Sequence, residues 1–195
     1  MKDKTFGRRN RMEYGASSYR RFLDGDDQGL YEIICAYQSG LVLYLNSIVQ
    51  NLHTAEDLAE DTFAELATKC PSFTGKSSFK TWLYAIARHL AVDHIRKASK
   101  LSAVPLETQE FVPDECDVEH QYLRTEQREA VHRALHRIKP DYRQVLWLSY
   151  FEGFSNREAA QIMHKTARQI ENLLYNAKKA LRSELERDGF TYEDV

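Results

Sequence analysis

The chain has 195 residues, 43% of them apolar and 29% charged, which is the composition of a water-soluble globular protein with room for one domain or two small ones. Lys and Arg total 27 against 29 Asp and Glu, a formal net charge of −2. That balance excludes the strongly basic body of an autonomous, tight nucleic-acid binder and confines any such activity to local patches. Cys35, Cys70 and Cys116 are odd in number, far apart and form no CxxC pair, so neither a disulfide framework nor a zinc ribbon is expected, and the reading is cytoplasmic.

In chain order, the opening MKDKTFGRRNRMEYG is basic but lacks the apolar core of a secretory signal, and residues 1–16 read as a loose N-terminal arm. From there the apolar residues repeat at helical spacing almost throughout and strand signals are scarce, which predicts an all-α protein. The apolar positions between Leu30 and Val49 fall on helical faces, and the most apolar run, Leu41 to Val49, is broken by Asn46 and Ser47. That run is far shorter than the roughly 20 residues that span a bilayer, so no membrane insertion is expected. Thr54 restarts a helix, with its hydroxyl as the cap and Asp57 three residues on, and this helix runs to about Lys69 before Cys70-Pro71.

Ser72 to Ser78 (SFTGKSS) is a loop by composition. In the basic helix that follows, Phe79, Leu83, Ile86 and Leu90 form the core stripe, Lys80, Tyr84 and Arg88 form a row at steps of four, and Arg96 lies further around. On this reading the cations do not hold the fold. Trp82 falls at the margin of the stripe. Aromatics among cations beside a Gly/Ser loop suit single-stranded nucleic acid, where each stacked base contributes ~1–3 kcal/mol and the cations hold the backbone. The alternative is that Trp82 and Tyr84 are core-edge residues and the cations ordinary surface.

Residues 101–125 carry Glu107, Glu110, Asp114, Glu115, Asp117 and Glu119 with Pro105 and Pro113, a flexible acidic linker. It separates a first helical domain, residues 17–100, from a second, residues 126–188, before a short tail, 189–195. In the second domain a helix near 126–138 ends before Lys139-Pro140 and another opens at Asp141 with Gln144 three on. Ser155-Asn-Arg-Glu158 and Thr166-Ala-Arg-Gln169 then form two successive capping-box patterns, the plan of a helix-turn-helix. On its second helix Ile170, Leu174, Ala177 and Leu181 gather on one side and Arg168, Asn172, Tyr175, Lys179 and Arg182 on the other. The second group has the chemistry that reads base edges and phosphates in a major groove. A plain solvated helix face is the alternative.

AEDLAEDTFAELATK (55–69), FTGKSSFKTWLYAIARHLAVDHIRK (73–97) and DYRQVLWLSYFEGFSNREAAQIMHKTARQIENLLYNAKKALRSEL (141–185) resemble, in order and spacing, the two characteristic regions of bacterial RNA polymerase sigma factors of the extracytoplasmic-function type. The resemblance covers roughly residues 20–100 and 126–188. It implies a subunit that binds core RNA polymerase, at the β′ clamp helices and the β flap, and confers recognition of promoter DNA. The docking helix would use Glu56, Asp57, Glu60 and Asp61, with Phe63 at the core or the interface edge. Recognition and melting of the minus-ten element would fall to Phe73, Lys76, Ser77, Ser78, Lys80, Thr81, Trp82, Tyr84, Arg88, His89, Arg96 and Lys97. The minus-thirty-five element would be read by Thr166, Arg168, Gln169, Asn172, Tyr175, Asn176, Lys179 and Arg182.

The resemblance also implies a dedicated anti-sigma factor and a linker that threads the polymerase interior, against which stands a plain solvated tether. Two residues depart from the family pattern. His89 stands where Asn is usual, and His164 stands near the bend where Gly is common.

His132 and His136 are spaced i, i+4, yet Arg133 occupies the position an HExxH motif gives to its acid and no third ligand is evident, so no metal is expected. There is no phosphate-binding loop, nucleophile elbow or dinucleotide fingerprint, so neither an enzyme nor a cofactor is expected. A stand-alone helix-turn-helix regulator and a helical protein-interaction module are the rival readings.

Overall fold

α1 (Lys4–Leu23) opens a computed structural model that describes the backbone of residues 4–101 and 130–189, and the side chains of 14–99 and 130–189. The acidic linker, Cys116 and residues 190–195 lie outside the described residues. Helices account for the described elements, and no strand occurs among them. The N-terminal residues expected to form a loose arm are helical from Lys4 onward. Their helix is anchored by buried Ser18 and Tyr19, and the Tyr19 hydroxyl donates to the Pro71 carbonyl at 2.8 Å.

α2 (Asp27–Val49) starts where the Asp26 carboxylate accepts from the Gln28 N–H and ends in a left-handed Gln50. Gly29 lets α1 and α2 cross with backbones nearly touching, since a Cβ there would sit 2.2 Å from the Ser18 carbonyl oxygen. By length and composition α2 is long and apolar enough to cross a bilayer, more than the short run from Leu41 suggested, because the helix adds the turns around Leu30–Ile34. Here it is the core helix, with Ile33, Leu41, Tyr44 and Leu45 fully buried.

α3 (Leu52–Lys69) begins one turn earlier than the sequence implied. The Asn51 carboxamide accepts from the Thr54 N–H at 2.9 Å, so Asn51 is the cap and Thr54 lies inside the first turn. α4 (Phe79–Leu101) is started by the Ser78 hydroxyl, which accepts from the Thr81 N–H at 3.1 Å. Its buried stripe is Phe79, Leu83, Ala87 and Ala91, with Ile86 and Leu90 only half-buried.

The second block opens with α5, helical over 130–137. α6 (Pro140–Leu146) has Pro at the first helical position, where its missing N–H costs nothing. A π-helical turn, Trp147–Phe151, follows and was not legible from spacing. α7 (Asn156–Met163) and α8 (Ala167–Arg187) are the two expected helices, and both capping boxes are formed in full. His164 between them is left-handed at φ 53° and ψ 45°, so the bend keeps a glycine-like conformation on a side chain that has a Cβ.

The two blocks touch, α2 against α6 and α4 against α7. Buried Arg143 is one pin. Its guanidinium donates to the Ser47 carbonyl of α2 and to the Leu135 and His136 carbonyls of α5. Burial lowers its pKa to about 10, which leaves it charged at neutral pH.

Candidate nucleic-acid interface

The loop before α4 and the first turns of that helix build a cavity of about 420 Å³. Gly75 is left-handed at φ 71°, which turns the loop back so that Ser77 and Ser78 face the same space as Phe73. The Ser78 and Thr81 hydroxyls are hydrogen-bonded to each other at 2.7 Å. Half-buried Trp82 packs against Phe73, Phe79 and Tyr19 with ring centroids 5.2–5.5 Å apart, at the core margin where the helical projection put it. Arg20 of α1 and Glu158 of α7 complete the rim. Neither was identified from the sequence. Arg20 belonged to a segment with no motif, and Glu158 was assigned to capping alone.

The remaining residues of the basic helix divide into two sets. Lys76, His89, Arg96 and Lys97 are exposed, with Arg96 and Asp93 paired at 3.1 Å and His89 facing the same carboxylate at 4.0 Å. Lys80, Thr81, Tyr84 and Arg88 instead face the second block. The reading that these cations do not hold the fold is corrected by their partners.

The Lys80 ammonium is 2.7 Å from the Glu152 carboxylate, donates to the Glu152 carbonyl at 3.1 Å, and lies 4.7 Å from the Phe154 ring centre. Tyr84 is 1% exposed, edge-to-face with the Phe154 ring at 5.1 Å and beside Tyr44 at 5.3 Å. Burial, and then the Glu152 carboxylate, push the Tyr84 phenol far above its ordinary pKa. Arg88 donates to the Gln144 side-chain oxygen at 3.0 Å, and Thr81 reaches Glu158 at 3.5 Å. Spacing placed these residues on one face correctly; it carried no sign of what would cover that face.

α8 presents the other candidate surface. Ile170 and Ala177 are buried and Leu174 and Leu181 half-buried, while Arg168, Asn172, Tyr175, Asn176, Lys179 and Arg182 point outward, Tyr175 at 71% exposure. Arg182 pairs with Glu186 at 2.9 Å. Thr166 and Gln169 are occupied by the helix start. The Thr166 hydroxyl accepts from the Gln169 N–H, and the Gln169 side-chain oxygen accepts from the Thr166 N–H at 2.8 Å. A guanidinium, an amide and an ammonium along one exposed face can donate to base edges and neutralise phosphates.

On α3, Glu56, Asp57, Glu60 and Asp61 form an exposed acidic face, and Glu56 is 3.4 Å from His53. Phe63 is 6% exposed and belongs to the core, which removes it from any surface there. Among the described residues no group of His, Cys, Asp or Glu is placed to hold a metal.

Sigma-70 region 2 matches residues 33–101 and Sigma-70 region 4 matches residues 128–181. The RNA polymerase sigma factor YlaC of Bacillus subtilis (strain 168) is 31% identical over 151 residues, 76% of this chain and 87% of that protein. The ECF RNA polymerase sigma factor SigX of the same organism is 29% identical over 160 residues, 77% and 80% of the two chains. Among solved structures, the sigma factor RpoE of Bartonella quintana, in complex with the anti-sigma factor NepR, superposes with a TM-score of 0.68 at 23% identity, over 80% of this chain and 96% of that one, a likeness of fold.

Proposed function

The chain belongs to the RNA polymerase sigma factors of the extracytoplasmic-function type, and on that premise we propose how its residues divide the work of binding core polymerase, recognising a promoter and initiating transcription. Sigma factors act by binding and carry no catalytic step of their own in the family, which fits a chain read as a non-enzyme.

The exposed acidic face of α3, Glu56, Asp57, Glu60 and Asp61, docks on core polymerase. The α4 start and its loop hold the minus-ten element, with Phe73, Phe79 and the Ser77–Ser78 turn lining the space for an unstacked base and Trp82 packed behind Phe73 and Phe79. The exposed Lys76, Arg96 and Lys97 supply cations along the strand with His89 beside them, while Lys80, Thr81, Tyr84 and Arg88, engaged with the second block here, lie on the adjoining side of the same helix. The outward face of α8, Arg168, Asn172, Tyr175, Asn176, Lys179 and Arg182, enters the major groove of the minus-thirty-five element. Thr166 and Gln169 shape the start of that helix.

The linker bridges the two domains, 17–100 and 126–188, and an anti-sigma factor holds the protein in the cytoplasm until it is released. The observation that carries the assignment is the paired capping boxes, which aim one polar, cation-bearing helix face outward while the opposite face is buried.

Run-off transcription from pooled genomic fragments tests it, using purified core polymerase with and without this protein, beside a gel shift of the protein alone. New start sites are expected only when both are present. A sharp shift by the protein alone with no new transcripts would favour a stand-alone regulator.

A further inference from the structure

α1 carries no motif, yet it forms one wall of the cavity before α4. From that placement we propose that Arg20 is a phosphate contact of the melting site, its guanidinium holding the backbone of the nucleotide whose base enters the cavity. The inference rests on the reading of that cavity given above and adds to it a residue that neither the loop nor α4 supplies.

α1 is fixed against the loop. The Tyr19 hydroxyl donates to the Pro71 carbonyl at 2.8 Å, and the Tyr19 ring packs on Phe79 at 5.6 Å and on Trp82 at 5.4 Å. Gly15 brings the helix close to the same core, since a Cβ there would lie 2.5 Å from the Phe79 ring. Ala16 and Arg20, four residues apart and so on one face of α1, then line the cavity. Ala16 is half-buried and Arg20 exposed, so the small side chain closes the wall and the guanidinium stands at the mouth.

Arg20 is the only cation among the described residues of the lining, and its donors are uncommitted. It makes no ion pair or side-chain hydrogen bond with any described residue, whereas its neighbour Arg21 is held by Asp26 at 3.1 Å and by Glu32. Glu158, the carboxylate of the lining, is spent on the α7 cap, where it accepts from the Ser155 N–H at 2.8 Å and the Ser155 hydroxyl at 2.7 Å. The Ser77 hydroxyl donates to the Ser78 carbonyl at 3.2 Å, and the Ser78 hydroxyl is taken up by the N–H and hydroxyl of Thr81. The hydroxyls of the loop hold its shape, and a ligand meets one open set of donors.

Position decides what those donors bind. An extruded nucleotide turns about its backbone, so the base goes into the cavity and its phosphate stays at the mouth. A planar guanidinium matches two phosphate oxygens at once. Lys80 and Arg88 are engaged with Glu152 and Gln144, and Lys76 lies outside the lining, which leaves this phosphate to Arg20.

Holoenzyme, core polymerase with the full chain, is titrated across a range of salt. The probe is a fork whose non-template strand is single-stranded through the minus-ten element of a start site mapped by run-off transcription. Arg20→Ala is expected to bind about tenfold more weakly and to lower the salt slope by about 0.7, the share of one phosphate on a single strand. Arg20→Lys is expected to keep the slope and recover part of the affinity, since it has the charge without the fork. Lys69→Ala, the same charge change at the exposed end of α3, is expected to alter neither.

A methylphosphonate scan, which removes the charge from one linkage at a time, locates the contact. One linkage is expected to cost the parent about tenfold and Arg20→Ala almost nothing, while the others cost both proteins alike. That linkage is expected to flank the nucleotide at which an abasic site weakens the parent. Losses that add at every linkage overturn the proposal, as does coupling at a linkage remote from the abasic-sensitive nucleotide, or a loss in Lys69→Ala equal to that in Arg20→Ala. An abasic scan that costs nothing at any position instead overturns the reading of the cavity as a base pocket. A chain that yields no start sites with core polymerase removes the sigma-factor reading and the Arg20 contact together, a result seen before any variant is measured.

Discussion

Phe63 and Asp57 lie on the same helix and separate a residue that holds the fold from one that works outside it. Phe63 is 6% exposed, and Phe63→Ala is expected to cost about 3–5 kcal/mol of stability in a urea titration, as removal of a buried ring does. Asp57 is exposed, so Asp57→Ala is expected to change stability by less than about 0.5 kcal/mol and to weaken binding to core polymerase. A pull-down with core polymerase in which Asp57→Ala equals the parent would remove it from the docking face. His164 is a third kind of residue, one whose side chain matters less than its backbone. At φ 53° it sits where L-residues with a Cβ are strained by roughly 1–2 kcal/mol. His164→Gly is accordingly expected to raise the thermal midpoint by the equivalent of about 1 kcal/mol, less what glycine loses in the unfolded chain. A lower midpoint would show that His164 makes a contribution its backbone does not reveal.

α8 is the element where sequence and structure agree most closely, for a physical reason. Its two faces follow from a period of 3.6 and its start from a side chain that satisfies orphaned N–H groups, and both rules are local. Arg168→Ala or Asn172→Ala is expected to change which upstream base is preferred, by about 1–3 kcal/mol per base pair, while Lys179→Ala weakens binding to all promoters and lowers the salt slope by about one. Equal losses on every upstream variant for all three substitutions would erase that distinction. The same local rules failed at α3, where Asn51, not Thr54, closes the first turn, because both residues are good caps and only the path of the chain from Gln50 chooses between them. They failed at α1, whose amphipathicity is weak and whose burial depends on α2 crossing at Gly29. The π-helical turn at Trp147–Phe151 had no local signature either. For α4 the spacing gave the right row and the wrong environment, since Lys80, Tyr84 and Arg88 are covered by residues more than fifty positions away.

At the scale of the whole molecule the junction between the blocks is polar and titratable. Gln50 at the end of α2 donates to the His136 carbonyl at 3.2 Å and meets the His136 ring at Nδ1, 3.0 Å away, while Arg143 reaches the same carbonyl at 3.2 Å. Burial, then Arg143 and then His132, hold His136 below its ordinary pKa, and burial does the same to His132. Both rings are therefore neutral in the folded chain at a pH where the unfolded chain protonates them. The unfolded state binds more protons between its own pKa near 6.5 and the lower folded values. The stability that depends on neutral rings is fully present above about pH 6.5 and falls as the solution is acidified through the folded pKa values. Glu32, whose carboxyl is held down first by Ser18 and then by Arg21, loses its contribution only below its ordinary value of 4.5, so the two effects fall in different windows. Thermal melts near pH 7.5 and pH 5.5 isolate the histidines. The parent is expected to melt lower at pH 5.5, and His136→Gln, which keeps a neutral polar group beside Gln50, to show a smaller drop. A parent whose midpoint is the same at both values would mean that water reaches the junction freely enough to hydrate the charged rings. The blocks would then meet through Arg143 and the Lys80–Glu152 pair without a sealed contact between α2 and α5.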